Sequence, residues 1–202
     1  ANLPAIDASD VLEREELEPG GYFLLSAHRE ENIDTERNFE SLFNAINALA
    51  EEYGKPILYS CHPRSRKRLE ASGFQLHPLV RTHEPMGFHD YNKLQSSAFC
   101  VVSDSGTLPE ESSFFASVGR PFPAVCIRTS TERPEALDKG CFTLAGIDER
   151  NLLNAVRTAV SLEAEGLHGI PVPDYQDDVA PKVVRIIQSY TGVVDRMVWR
   201  KY

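Results

Sequence analysis

The 202-residue sequence lacks a long apolar run. Its apolar stretches are short and broken by polar residues, well below the ~20 residues that a membrane-spanning helix needs. The amino terminus has no basic region followed by an apolar stretch, so we expect no signal peptide. These absences predict a cytoplasmic protein that does not bind membranes. Because the chain starts at Ala1 without methionine, we expect it to be part of a longer protein.

Basic residues are few. Lys and Arg number 21 against 30 Asp and Glu, which gives a formal net charge of −9. We therefore expect no broad basic surface for duplex nucleic acid. The net charge still permits an anionic ligand, because a few well-placed amides and arginines set the local field.

Only four cysteines occur, and no two of them are spaced as C-x-x-C. Cys61, Cys100 and Cys126 lie in or beside strand-like segments, so we expect buried, reduced thiols and no disulfide framework. The adjacent Cys61 and His62 lack a second pair of ligands, so no metal site is predicted. The G-x-G-x-x-G fingerprint, the Walker loop and the G-x-S-x-G elbow are also absent.

Short apolar segments alternate with longer amphipathic ones. The expected strands are 22–25, 57–59, 80–82, 98–102, 124–127 and 142–144. The clearest helix is 38–53, where apolar side chains recur three and four residues apart and Gly54 provides a stop. Six strand–helix units predict an α/β fold, namely a Rossmann-like, doubly wound parallel sheet with helices on both faces.

The last helix is predicted over residues 179–199, with an interruption at Gly192. It carries an apolar stripe at helical spacing, formed by Val183, Ile186, Ile187, Tyr190 and Val194. Two explanations stay open at this point. The stripe either packs into the core of this domain or contacts a domain or chain outside it. Burial of Trp199 within the same domain would favour core packing.

Ligands of such sheets bind beyond the carboxyl ends of the strands. Directly after the first strand, residues 26–32 place a titratable imidazole, His28, among hydrogen-bond donors. After the fourth strand, residues 103–111 contain Gly106, which permits close approach to the backbone, at the start of a helix whose amides suit phosphate. The competing explanations are a solvated charged loop for 26–32 and a plain helix cap for 103–111.

That cap would be the capping box Thr107-x-x-Glu110. Glu111 is not needed for it, so its carboxylate is available to accept two ribose hydroxyls. After the fifth strand, residues 128–135 include Arg133, whose rigid fork suits an anionic ligand. The alternative for this segment is a charged surface turn.

Three segments, 27–32, 104–111 and 131–135, occur in an order that resembles the non-hydrolysing UDP-N-acetylglucosamine 2-epimerases. The resemblance implies one half of a glycosyltransferase-B type, two-domain fold, with the other half outside this chain. It implies a linker from a missing N-terminal domain at 1–20, a Rossmann-like UDP-binding domain at 21–176, and a C-terminal helix at 177–202 that returns to the missing domain.

The resemblance also implies roles for individual residues. His28 would lie beside the diphosphate, near the reacting sugar, as the catalytic candidate. The implied substrate-binding residues are Met86, Tyr91, Ser105, Gly106, Thr107, Glu111 and Arg133. Among these, Tyr91 would stack near the uracil and the backbone at Met86 would contact the base edge. In some bacterial members, positions matching Arg29, Glu31 and His62 line a second, regulatory nucleotide-sugar site.

The implied reaction inverts C2 of the sugar by elimination and re-addition of UDP, without NAD or another cofactor. The proton-transferring carboxylates would come from the missing domain, and the full-length protein would be a homodimer. Segments 123–130 and 198–201 resemble a subgroup that makes UDP-N-acetyl-L-fucosamine from UDP-2-acetamido-2,6-dideoxy-L-talose. The product would serve capsule, O-antigen or cell-envelope polysaccharide. The alternatives are a glycosyltransferase domain and a non-catalytic UDP-sugar-binding module.

Overall fold

Six parallel strands form one sheet in the order β3-β2-β1-β4-β5-β6. The computed structural model describes residues 2–175 and 178–201. The strands are β1 Phe23–Ser26, β2 Ile57–Ser60, β3 Val80–His83, β4 Cys100–Ser103, β5 Ala124–Cys126 and β6 Thr143–Leu144. The predicted α/β parallel sheet is confirmed, and each predicted strand overlaps an observed one.

Ten helices are assigned within the described residues. They are α1 Leu3–Asp7, α2 Val11–Arg14, α3 Glu30–Ile33, α4 Glu36–Tyr53, α5 Pro63–Ser72, α6 Phe88–Ser97, α7 Leu108–Ser117, α8 Pro134–Asp138, α9 Glu149–Ala164 and α10 Val179–Met197. A short 3-10 turn covers Pro173–Tyr175. None of these helices combines the length and the apolar character needed to cross a bilayer.

The chain divides into two compact units, Ala1–Pro171 and Val172–Tyr202. In the first unit, strands with apolar side chains on both faces pack against helices, as expected for a parallel sheet covered on two sides. Helix α4 contributes seven buried side chains to this core. All four cysteines are buried free thiols, which confirms the prediction of burial.

Two short helices near the amino terminus, α1 and α2, are part of the folded domain. Ile6 of α1 and Val11 of α2 are buried, and both helices contact α6. Asp90 of α6 accepts hydrogen bonds from Ser9 Oγ at 2.5 Å and Arg14 Nη2 at 2.5 Å. The segment 3–14 therefore packs onto the domain through apolar and charged contacts. The predicted role of residues 1–20 as a connection to another domain stays a prediction.

The second unit contains α10, which leaves its apolar side chains exposed. No residue of α10 is buried, and Trp199 is 66% exposed. The core-packing explanation of the apolar stripe is therefore wrong. The predicted interruption at Gly192 is also wrong, because the helix continues through this residue. One glycine costs a helix only about 1 kcal/mol relative to alanine, which is too little to end it.

Gly54 ends α4 in the left-handed conformation, with φ +58° and its amide donating to the Ala50 carbonyl. A Cβ at this position would meet no atom within 4 Å, so the cost of a side chain is conformational. Gly54→Ala should therefore lower the free energy of unfolding by about 1 kcal/mol. The control is Gly192→Ala inside α10, where φ is not positive and the space is also open. Equal effects of the two variants in urea denaturation would contradict this assignment.

Candidate functional site

The register of the sheet places three loops side by side at its carboxyl edge. Ser26 at the end of β1 pairs with Ser103 at the end of β4, and Ser103 pairs with Cys126 at the end of β5. The ladder continues one residue further, since the Asp104 amide donates to the Ser26 carbonyl. The three segments singled out in the sequence therefore leave the sheet next to one another, as expected.

Asp104, the first residue after β4, joins these loops. Its side chain is fully buried and its carboxylate accepts the backbone N–H groups of His28 and Arg29, both at 2.9 Å. It also accepts from Asn32 Nδ2 at 3.1 Å, and the same nitrogen lies 3.0 Å from the Ile127 carbonyl oxygen. A buried carboxylate requires such donors, because an unpaired charge is costly to bury. Asp104 thus holds the 27–32 loop against the ends of β4 and β5.

The His28 imidazole lies at this junction, partly open to solvent. Its Nδ1 is 3.1 Å from Asp104 Oδ1, and its side chain is 45% exposed. The ring therefore has one nitrogen facing a buried carboxylate. His28 thus lies at the carboxyl edge of the sheet, and its role beside a ligand stays a prediction.

The loop before α7 contains a network of hydroxyl groups. The Ser105 amide donates to Ser103 Oγ at 3.0 Å, and the hydroxyls of Ser105 and Thr107 are 3.0 Å apart. A Cβ on Gly106 would lie 3.1 Å from Arg29 Nη2, so this position brings a guanidinium close to the backbone. Glycine provides the space for that approach, and the close approach of a ligand to Gly106 stays a prediction.

The predicted capping box is wrong. Thr107 is the N-cap of α7, but its side chain makes no capping hydrogen bond. Its hydroxyl donates instead to Glu111 Oε1 at 2.8 Å. Glu110 accepts from Arg133 Nε at 2.6 Å. Glu111 therefore bonds to Thr107 and Glu110 to Arg133, so the capping box does not form at the start of α7.

Glu111 is half-buried between α6 and α7. Besides Thr107, its carboxylate accepts Gln95 Nε2 of α6 at 3.0 Å. Burial raises the pKa of the Glu111 carboxyl above its usual range, and the hydrogen bonds from Gln95 and Thr107 oppose that shift. Gln95, fully buried on α6, was missed in the sequence because its partner lies 16 residues away and no motif includes it.

Arg133 precedes α8 and is fixed by its neighbours while remaining partly exposed. Besides the contact with Glu110, its Nη1 lies 3.2 Å from the Glu132 carbonyl oxygen, and its side chain is 41% exposed. In the same loop, Arg128 forms a two-fold contact with Glu132, at 2.7 Å for both pairs of atoms. The Arg128 guanidinium lowers the pKa of the Glu132 carboxyl to about 2.

Tyr91 and Met86 lie beside these loops. Tyr91 of α6 is half-buried. Burial raises the pKa of its hydroxyl, and contacts with the hydroxyls of Ser26 and Ser103 oppose that shift. Met86 is half-buried in the loop between β3 and α6. The stacking and base-reading roles of these residues stay predictions.

The three residues expected at a regulatory site contact different partners. The Arg29 side chain turns toward Asp104, with Nε 3.0 Å from the Asp104 carbonyl oxygen. Glu31 Oε1 lies 3.5 Å from Arg128 Nε. His62 is the N-cap of α5, and its Nδ1 accepts the Arg64 amide at 3.3 Å. The contacts of these residues thus give no single shared cluster, and their regulatory role stays a prediction.

No group of three or more His, Cys, Asp or Glu side chains suited to a metal ion occurs within residues 2–175 and 178–201. The site consists instead of one imidazole, arginines, hydroxyls and a half-buried carboxylate around a glycine loop. Such a set suits an anionic ligand that also carries hydroxyl groups.

Comparisons with known proteins point to one family. The family model for UDP-N-acetylglucosamine 2-epimerase matches residues 2–188. A relative of that name from Methanococcus maripaludis is 37% identical over 139 residues, which cover 67% of this chain and 37% of the relative. The solved UDP-N-acetylglucosamine 2-epimerase from Rickettsia bellii is 37% identical with a TM-score of 0.73, and the match covers 99% of this chain and 53% of that chain.

A third comparison includes bound nucleotides. The UDP-GlcNAc 2-epimerase from Methanocaldococcus jannaschii was solved in complex with UDP-GlcNAc and UDP. It is 28% identical to this chain with a TM-score of 0.69, and the match covers 79% of this chain and 44% of that chain. The present chain thus spans about half or less of the length of the proteins it resembles.

Proposed function

This chain belongs to the UDP-N-acetylglucosamine 2-epimerase family, and on that premise we propose that the carboxyl edge of its sheet binds the UDP part of a UDP-amino sugar. The observation that carries the proposal is the convergence of His28, the Ser105–Thr107 loop and Arg133 at one edge. Arginines and loop amides suit a diphosphate. The neighbouring Glu111 carboxylate suits ribose hydroxyls.

In this proposal, different residues bind different parts of the ligand. Ser105, Gly106 and Thr107 bind phosphate oxygens, and Arg133 neutralises phosphate charge. Glu111 accepts the ribose hydroxyls. The uracil lies toward Tyr91 and the backbone at Met86. His28 lies beside the diphosphate, where the bond between the sugar and UDP breaks.

The longer protein of which we expect this chain to be part would invert C2 of the sugar by eliminating and re-adding UDP. Elimination needs a base for the C2 proton and stabilisation of the departing UDP. The present chain would stabilise the departing UDP, and the missing N-terminal domain would supply the base for the C2 proton. We propose no resident metal or cofactor, a cytoplasmic location, and a homodimer for the full-length protein.

The domain boundaries are also part of the proposal. A connecting segment at 1–20, a UDP-binding domain at 21–176 and a returning helix at 177–202 follow from the family resemblance. The boundary between 176 and 177 lies outside the described residues. The substrate pair is UDP-N-acetylglucosamine and UDP-N-acetylmannosamine, or the 2,6-dideoxy-L-talose and L-fucosamine derivatives, for envelope polysaccharide.

The activity is tested by incubating the longer protein with UDP-N-acetylglucosamine and no acceptor sugar, and following the C2 epimer by NMR. We expect epimerisation without an acceptor, and no turnover by the present chain alone. Strict dependence on an acceptor would favour the glycosyltransferase alternative. Turnover by this chain alone would contradict the assignment of proton transfer to the missing domain. If the longer protein binds the UDP-sugar without turnover, the result would favour the alternative of a non-catalytic UDP-sugar-binding module.

Glu111→Gln should raise stability at pH 7 and weaken UDP binding. The folded-state pKa of Glu111 is raised, so its contribution to stability is complete below the ordinary glutamate pKa and is lost as pH rises through the folded value. The neutral amide avoids that loss. The stability difference should therefore be largest near neutral pH and vanish below about pH 4. UDP affinity should fall about tenfold, because an amide accepts hydrogen bonds less strongly than a carboxylate.

Thermal unfolding at several pH values and calorimetric titration with UDP measure the two effects. Glu40→Gln, at an exposed position of α4, is the matched control and should change neither quantity appreciably. The burial argument predicts that the stability of Glu111→Gln relative to wild type is higher at pH 7 than at pH 4. The opposite order would contradict it. Unchanged UDP affinity would remove Glu111 from the site.

A further inference from the structure

Gln95 of α6 is a buried amide of which one end is bonded and the other is not. The side chain is fully buried. Its Nε2 donates to Glu111 Oε2 at 3.0 Å, whereas its Oε1 has no hydrogen-bond partner among the described residues. A buried acceptor without a donor costs free energy, so an apolar side chain of similar size would be more stable here. The bond to Glu111, and not packing, therefore accounts for the amide.

The charge of Glu111 determines which end of the amide faces it. An ionised carboxylate has only acceptors, so a hydrogen bond at this position requires the NH2 group of Gln95. The amide oxygen is thereby turned to a side where no described residue offers it a donor. The orientation of Gln95 is thus the one that stabilises the charged form of Glu111.

Each oxygen of the Glu111 carboxylate accepts from one side chain of the protein. Oε2 accepts from Gln95, and Oε1 accepts from the Thr107 hydroxyl at 2.8 Å. Because a carboxylate has about four lone-pair positions, one remains on each oxygen for hydroxyl groups of a ligand. Thr107 is exposed, so water competes for its hydroxyl, whereas Gln95 is shielded from water. Gln95 is therefore the donor that fixes the carboxylate.

The other surroundings of Glu111 oppose its charge. Burial raises the pKa of its carboxyl, and the charge of the neighbouring Glu110, which is paired with Arg133, acts in the same direction. The Tyr91 hydroxyl on α6 brings no compensating charge, because burial raises its pKa as well and it is neutral at pH 7. The hydrogen bond from Gln95 is the strongest influence that lowers the pKa of Glu111.

We propose that Gln95 is a positioning residue of this site, which fixes the Glu111 carboxylate and keeps it ionised so that it accepts the ribose hydroxyls of the ligand. That the ligand contains ribose rests on the proposed function. The effect of Gln95 on the ionisation of Glu111 does not. Without this donor, a larger fraction of Glu111 is protonated at neutral pH, and its capacity to accept hydrogen bonds falls.

The first test needs no ligand. The carboxyl signal of Glu111, identified by its loss in Glu111→Gln, is followed by ¹³C NMR from about pH 3 to about pH 9. We expect the midpoint of this titration to rise by at least about one pH unit in Gln95→Leu. The matched control is Asn92→Leu, because Asn92 is another buried amide of α6 but donates to the Phe88 carbonyl at 2.8 Å. It should leave the midpoint unchanged. An unchanged midpoint in folded Gln95→Leu would overturn the proposal.

A measurement on the wild-type chain keeps the proposal testable if Gln95→Leu does not fold. Because the Gln95 NH2 group donates to the carboxylate that titrates, its ¹H and ¹⁵N signals should shift with pH at the midpoint of Glu111. Signals of Gln95 that do not follow this titration would overturn the proposal.

The second test measures the ligand by calorimetric titration at pH 7. The wild-type chain should bind UDP about tenfold more tightly than 2′-deoxy-UDP, which lacks one ribose hydroxyl. In Gln95→Leu, UDP affinity should fall about tenfold and the preference over 2′-deoxy-UDP to below about threefold. Part of the lost affinity should return at higher pH, as Glu111 ionises. Asn92→Leu should keep the affinity and the preference of the wild type. An unchanged preference in Gln95→Leu would overturn the role of Gln95 in binding.

These readouts separate the two proposals. If the Glu111 midpoint rises in Gln95→Leu but the wild-type chain binds no UDP, the proposed function is contradicted and the effect of Gln95 on Glu111 is supported. If the chain binds UDP and the midpoint does not move, the proposed function is supported and the positioning role of Gln95 is overturned.

Discussion

Phe43→Ala should lower the free energy of unfolding by about 3–5 kcal/mol. Phe43 is fully buried on α4. Its ring centroid lies 4.7 Å from that of Phe39 and 5.9 Å from that of Tyr59 on β2. Removing the ring opens a cavity between helix and sheet. Because the neighbouring aromatic rings are held by several packing partners, the cavity can close only in part.

Urea denaturation followed by circular dichroism measures this loss. The control is Phe88→Ala, because Phe88 is 59% exposed at the start of α6. It should change the free energy of unfolding by no more than about 0.5 kcal/mol. A loss below about 1 kcal/mol for Phe43→Ala, or equal losses for the two variants, would contradict the packing of α4 on the sheet.

Arg133→Ala should weaken UDP binding by about ten- to a hundredfold. The guanidinium is oriented by Glu110 at 2.6 Å while remaining 41% exposed, so it is held in place yet accessible to a ligand. A hydrogen bond to a charged group contributes about 1.5–3 kcal/mol, which corresponds to this range of affinity. Calorimetric titration with UDP measures the change.

The chain offers a closely matched control in Arg120. Its side chain is 45% exposed and pairs with a carboxylate, that of Asp7, outside the three site loops. Arg120→Ala removes the same charge and a similar ion pair, so it should leave UDP affinity unchanged. If both variants lose affinity equally, the effect comes from net charge. If Arg133→Ala binds UDP as tightly as the wild-type chain, Arg133 does not contact the diphosphate.

The sequence was sufficient to place most elements of the sheet because local patterns determine them. Helix α4 was predicted from residue 38 and begins at Glu36, since the Thr35 hydroxyl accepts the Asn38 amide as a cap. The order of the strands in the sheet could not be predicted in this way. It depends on long-range pairing, such as that of β1 with β4, for which no local pattern carries information.

The site was predictable to the level of loops but not of contacts. The rule that ligands lie at the carboxyl ends of parallel strands led to His28, Gly106 and Arg133. The contacts of Asp104 were missed because the His28 amide that donates to its carboxylate lies 76 residues away. The capping box failed for the same reason, since Arg133, 23 residues further along the chain, takes the Glu110 carboxylate away from the cap.

Calorimetric titration of the wild-type chain with UDP, paired with uridine and with Ser105→Ala, tests the central claim most directly. We expect saturable binding of one UDP per chain, binding of uridine at least about tenfold weaker because the diphosphate contacts are lost, and reduced UDP affinity in Ser105→Ala. A folded chain that binds no UDP, or binds uridine as tightly as UDP, would contradict the placement of the diphosphate at this edge of the sheet.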